Sequence, residues 1–222
     1  MNRRTKLTLL NWGSLATLFL IFLNWHGAFE GPLTSAEIDM YMARLGAPDV
    51  EADFDGAESV RNIREFLEAD DGKPFVMVNA IQVREVPLSA DGATGQEAAD
   101  AYEAFVTLYL LRRGSYPIYT GTAAANAVAN WGIENGEEWS SAGLVRYSSR
   151  RTMIEMTTDP EFQQNQGNKF IGIEKTIAYP TTVDIQVIGL GWFVGFMDGL
   201  PCNGRHDAEL SSYFPCSIMA CC

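Results

Sequence analysis

Residues 7–29, LTLLNWGSLATLFLIFLNWHGAF, contain no charged side chain apart from His26. No other stretch limits the architecture as strongly. A helix of that length is about 34 Å long, enough to cross a hydrocarbon core of about 30 Å. Trp12 and Trp25 lie near its two ends, where indole rings favour the membrane interface. Arg3, Arg4 and Lys6 precede the run and Glu30 follows it. The positive-inside rule then puts the N-terminus in the cytoplasm and residues 30–222 across the membrane, in the periplasm of a bacterium with this chain in its inner membrane. A cleaved signal peptide with its apolar centre at Leu15–Leu23 is the alternative; no A-x-A site follows it, so residues 1–30 are read as an uncleaved anchor. Asn11, Gly13 and Asn24 interrupt the run, either tolerated near its ends or serving helix–helix contacts in an assembly.

The rest of the chain is acidic. Three of the 16 basic residues and none of the 28 acidic ones precede residue 7, leaving thirteen against 28, a net −15. Such a body repels nucleic acid, which needs clustered Lys and Arg, and stands off an anionic lipid surface or meets a basic partner.

Thr34 and Glu37 have capping-box spacing, and Ile38, Tyr41, Met42 and Leu45 recur at helical intervals up to Gly46. A second amphipathic helix is expected over about 57–69, so residues 31–72 form a helical linker region. Residues 74–83 are an apolar, β-branched run of strand length. Residues 95–114 give the clearest helix, with Tyr102, Phe105, Val106, Tyr109 and Leu110 in one stripe and Gly114 at its end. Strands are expected in SYPIYTG, at 140–147 and at 173–180. A helix is expected from about 149, broken near Asp159-Pro160, with Ser148 or Ser149 as its N-cap. The order β-α-β-β-α-β implies an α+β domain with an antiparallel, ferredoxin-like sheet and two helices on one face.

PFVMVNAIQV, AYEAFVTLYLLRRGSYPIYTG, EEWSSAGLVRYSSRRTMIEMTTDPEFQ and EKTIAYPTT together resemble the DUF1330 family, a branch of the dimeric α/β-barrel superfamily. The resemblance covers about residues 73–182, and Trp139 with Leu144-Val145-Arg146-Tyr147 and the Ser-Arg-Arg helix start is its most specific part. It implies a ferredoxin-like protomer that pairs sheet to sheet, and no settled activity. Asn79, Tyr102, Arg146, Tyr147 and Ser149 match polar positions of the family pattern. Two readings stay open for them. In one they line a pocket between sheet and helices, where Arg146 binds a carboxylate and Tyr102 supplies a hydroxyl. In the other Arg146 is a dimer or sheet-edge ion pair and Tyr102 a core aromatic with its hydroxyl at the rim. Arg150-Arg151 is read as a solvated first helical turn.

The domain has no His or Cys; the two histidines are His26 and His206. No metal, heme or other cofactor is therefore expected, and no Ser-His-Asp or Cys-His pair is available. Residues 183–222 hold an apolar run, 185–197, and Cys202, Cys216, Cys221 and Cys222. The run could be an interfacial segment, a fifth strand or a docking patch. Docking is preferred because Trp192, Phe193 and Phe196 are costly to expose. Outside the cytoplasm the four cysteines suggest two disulfides in one of three connectivities. A zinc knuckle with His206 has the wrong spacing, and prenylation of the terminal Cys-Cys needs a cytosolic C-terminus.

The expectation is an accessory, non-catalytic subunit of an inner-membrane complex, for which photosynthetic and respiratory electron-transfer assemblies are natural hosts. The alternative is a membrane-tethered barrel enzyme or small-molecule binder. The extensions outside 73–182, either helices 35–69 or the run 185–197, or else a different subunit, are expected to cover the open sheet face in place of the family homodimer. On the charge asymmetry, protease added to inverted inner-membrane vesicles should leave residues 30–222 intact; digestion of the domain there would reverse the topology.

Overall fold

The computed structural model describes residues 2–46, 56–88 and 94–184. Trp192, Phe193, Phe196 and the four cysteines, with the docking and disulfide expectations attached to them, lie outside the described residues. The first helix, α1, runs Arg3–Trp25. It begins ahead of the uncharged stretch because the Asn2 side chain accepts the Thr5 N–H at 2.8 Å, an N-cap. It ends at Trp25, and Gly27 two residues on takes φ 86°, a left-handed turn that favours glycine. The helix is long and apolar enough to cross a membrane, and its apolar stretch is exposed among the described residues up to its last turn. Trp12 sits nearer its middle than the sequence implied, about 20 Å along the axis from Trp25.

After α1 come α2 (Ser35–Leu45) and α3 (Gly56–Glu68), then β1 (Phe75–Val83), α4 (Gly95–Leu111), β2 (Tyr116–Thr122) and β3 (Ser141–Tyr147). A second crossover in three pieces, α5 (Arg150–Thr158), α6 (Pro160–Asn165) and α7 (Gly167–Gly172), leads to β4 (Ile173–Thr181). The break falls at Asp159, whose carboxylate accepts the Glu161 N–H at 2.8 Å and caps α6, with Pro160 at its first position. The four strands form one antiparallel sheet in the order β2-β3-β1-β4, so the fold is α+β.

Paired residues in an antiparallel sheet share a face and successive residues alternate. Phe75 pairs with Tyr147 and Met77 with Val145, and these four belong to the core or pack against it. Val76, Val78, Leu144 and Arg146 therefore point to the opposite face. The core is continuous from Phe75, Tyr147, Tyr109, Leu110, Ile154 and Phe162 to Ile38, Met42, Leu45, Ile63 and Leu67. Phe66 meets Phe75 edge-on at 5.0 Å, and Phe75 stacks on Tyr147 at 5.1 Å.

Helices α2 and α3 are thus part of the domain's core rather than a linker. They also lie on the helical side, so they do not cover the open sheet face as one expectation had it. The reason is Arg150 and Arg151, which are not a solvated helical turn. Arg150 stacks over Phe66, with its centre 4.4 Å from the ring, donates to the Phe66 carbonyl and reaches Asp70 at 3.8 Å. Buried Asp70 also accepts the N–H groups of Leu33 (2.8 Å) and Gly72 (3.0 Å), pinning the start of α2 to the end of α3. Arg151 grips both oxygens of Glu37, joining α5 to α2.

Leu67 is fully buried. Leu67→Ala should cost about 2–5 kcal/mol, read as a lowered denaturation midpoint of the full chain in detergent; a change under about 1 kcal/mol would remove α3 from the core. The Glu37 carboxyl is held down at about 2, from an ordinary 4.5, by the Arg151 guanidinium and by the backbone and hydroxyl of Thr34. A depressed carboxyl stabilises the fold above its unfolded pKa and loses that contribution as pH falls through the folded one. Unfolding followed between pH 4.5 and about 2 should therefore have a shallower acid limb in Glu37→Gln than in the parent.

Candidate functional site

Arg146 stands on β3 opposite Val76 of β1 and Tyr116 of β2, on the face away from the helices. Its guanidinium is occupied by the end of α1. Nη1 donates to the Gly114 carbonyl at 2.9 Å. Nη2 donates to the His26 carbonyl at 3.0 Å and meets His26 Nδ1 at 3.0 Å. Guanidinium nitrogens only donate, so Nδ1 is the acceptor and Nε2 carries the hydrogen that reaches the Tyr116 hydroxyl at 3.1 Å. Trp25 stacks on Tyr116 with ring centres 6.1 Å apart and donates its indole N–H to the Leu111 carbonyl at 2.8 Å. Burial pulls the Arg146 guanidinium below its ordinary pKa.

Two glycines make the approach possible. A Cβ on Gly114 would lie 1.6 Å from the Trp25 carbonyl oxygen, and one on Gly27 would lie 2.9 Å from Ser148. Both have positive φ. Ser148 is held from beneath: its N–H donates to the Ser115 hydroxyl at 2.9 Å and its hydroxyl donates to the Arg113 carbonyl at 3.0 Å. The helix end, the α4–β2 turn and the end of β3 therefore form one joint.

The other polar residues expected around Arg146 are elsewhere. Neighbours in a strand point to opposite faces, so Tyr147 enters the helical side where Tyr102 also packs, and Arg146 shares no pocket with either. Burial raises the pKa of both phenols. Lys169 lies 5.9 Å over the Tyr102 ring, and burial lowers its ammonium to about 8. Asn79 donates to the Met77 carbonyl at 3.2 Å and reaches that of Gly143 at 3.5 Å. Ser149 caps α5 through the Thr152 N–H at 3.0 Å.

Gly143 lines a cleft of about 320 Å³ between the first half of α4 and the end of the sheet remote from Arg146. Gln96, Asp100 and Glu103 form its helical wall, and Ile81, Thr120 and Ser141 are among its strand residues. Among the described residues no group of three His, Cys, Asp or Glu side chains converges to hold a metal. On the open face Tyr119, Ile177 and Tyr179 remain about half exposed.

Sequence reasoning missed His26 and Gly114. Position alone gave a signal for His26, a polar residue directly after the apolar helix, but its partner is 120 residues away. Gly114 read as a helix stop, which it is, while its contact with Trp25 left no trace in the local pattern.

No protein-family model matches the chain, and no functionally curated protein matches it either. Two solved structures are similar to it. One is a protein of unknown function from Rhodopseudomonas palustris, 20% identical, with a TM-score of 0.50; the match covers 60% of this chain and 96% of that one. The other is the same protein in methylated form, 21% identical, TM-score 0.49, covering 58% and 92%. The likeness is one of fold alone.

Gly114→Ala should unlatch α1 from the domain. Protease cleavage within residues 26–31 of the detergent-solubilised chain should quicken about tenfold or more, the equivalent of about 1.4 kcal/mol of lost contact. Gly13→Ala, where a Cβ meets nothing, is the control. Equal cleavage rates for the two variants would mean that the joint is not formed.

Proposed function

We propose that this chain is an accessory, non-catalytic subunit of an inner-membrane complex, with its N-terminus in the cytoplasm and a ferredoxin-like domain of DUF1330 type held at the periplasmic surface. One observation carries the reading: α1 does not end in a flexible tether. Trp25, His26 and Gly27 are fixed to β2, β3 and the α4–β2 turn by hydrogen bonds, stacking and two glycine contacts. A tethered enzyme gains nothing from such rigidity, whereas a subunit that presents one surface to fixed neighbours needs its domain held in one orientation to the bilayer. The use of Arg146 in this joint also removes the cation that a carboxylate-binding site would have required. The strand order β2-β3-β1-β4 supports the ferredoxin-like reading, since β1 and β3 lie side by side in the middle.

The half-exposed aromatic and aliphatic side chains of the open sheet face are where a neighbouring subunit would seat. A photoreactive benzophenone amino acid placed at Tyr119 or Tyr179 in native membranes should cross-link to a different polypeptide. Cross-linking of the chain to a second copy of itself through these positions would restore the family homodimer and overturn the subunit reading.

The cleft between α4 and the sheet favours a second reading, a small-molecule binder. Its volume is at the lower end of the range for ligand pockets, about 300–1,000 Å³. Asp100 and Glu103 in its wall suit a cationic or polyhydroxylated ligand.

A further inference from the structure

We infer that the domain has a second membrane contact besides α1: a collar formed by Phe29, Leu108, Leu111 and Arg112 that dips into the interfacial layer of the bilayer holding the anchor. The inference rests on α1 being embedded, as proposed above. Its starting point is the hydrogen bond from the Trp25 indole N–H to the Leu111 carbonyl, 2.8 Å. Trp25 is the last residue of the membrane-length helix, so that bond fixes the C-terminal turn of α4 at the depth where α1 leaves the hydrocarbon. Gly114 presses the following turn against the same helix end.

The side chains at this level suit lipid and not water. Leu108 and Leu111 are exposed, at 59% and 40%, on the outer side of α4. Phe29, four residues past the end of α1, is 62% exposed. Arg112 is exposed beside them, where a guanidinium meets lipid phosphate. The character of α4 changes along its length: Glu97, Asp100 and Glu103 all fall in its first half, and no acidic residue follows within it. Glu103 is eight residues before Leu111, about 12 Å along the axis and beyond a Debye length of about 8 Å. Asp159, an acidic group that approaches this end, is engaged by Arg113 at 3.4 Å and by the Tyr109 hydroxyl. Along α4 the acidic residues therefore stop short of the collar, and Glu30, partly buried, is the carboxylate that borders it on the Phe29 side.

The test uses the full chain reconstituted in vesicles of phosphatidylethanolamine and phosphatidylglycerol. A benzophenone amino acid replaces Leu108, and in a separate variant Val128. Val128 is fully exposed and apolar and sits in the connection after β2, whose far end at Thr122 is about 20 Å from Tyr116 at strand rise. On illumination, the Leu108 variant should gain the mass of one phospholipid at a yield at least fivefold above the Val128 variant. Equal yields, or no lipid adduct at Leu108 in a chain that resists carbonate extraction, would overturn the collar and leave the anchor intact. A chain that carbonate releases from the vesicles would overturn both.

Discussion

The Arg146 guanidinium, held between the His26 and Gly114 carbonyls and the His26 ring, is the contact on which the rest of the arrangement depends. It joins three segments far apart in sequence at the point where a membrane-length helix meets a folded domain. Withdrawing an arginine from water is costly unless its donors are used. Here they are used by two backbone carbonyls and a neutral imidazole, with Tyr116 stacked below Trp25 to exclude solvent. The glycines at 27 and 114 are the steric condition for this contact, since any side chain at Gly114 would collide with the Trp25 carbonyl.

Much of the remaining architecture is organised around keeping the two faces of the sheet different. The helical face is sealed by one core that includes α2 and α3, recruited by Arg150 and Arg151 on α5 and by buried Asp70. A buried carboxylate is tolerated there because two backbone N–H groups and a guanidinium meet it. The opposite face is occupied at one end by the α1 joint and keeps Tyr119, Ile177 and Tyr179 about half exposed elsewhere among the described residues.

What the sequence determined by itself follows from local physics. The uncharged run at 7–29 fixed a membrane-length helix, because length and hydropathy suffice for that. The capping box at Thr34, period-two and helical patterns, and the Asp159-Pro160 break placed the strands and α2, α3 and α5 to within a residue or two, while α1 starts and ends four residues ahead of the apolar run and α4 stops three residues short of Gly114. What only the tertiary structure decided depends on long-range geometry. Adjacent residues Arg146 and Tyr147 read as members of one polar cluster, yet strand alternation sends one to the end of α1 and the other into the core. Arg150 and Arg151 looked solvated because their partners, Phe66 and Glu37, lie 84 and 114 residues away. The joint between α1 and the domain escaped for the same reason: its hydrogen bonds span 86 to 120 residues, and pairings over such distances are set by how elements pack, not by any pattern within one of them.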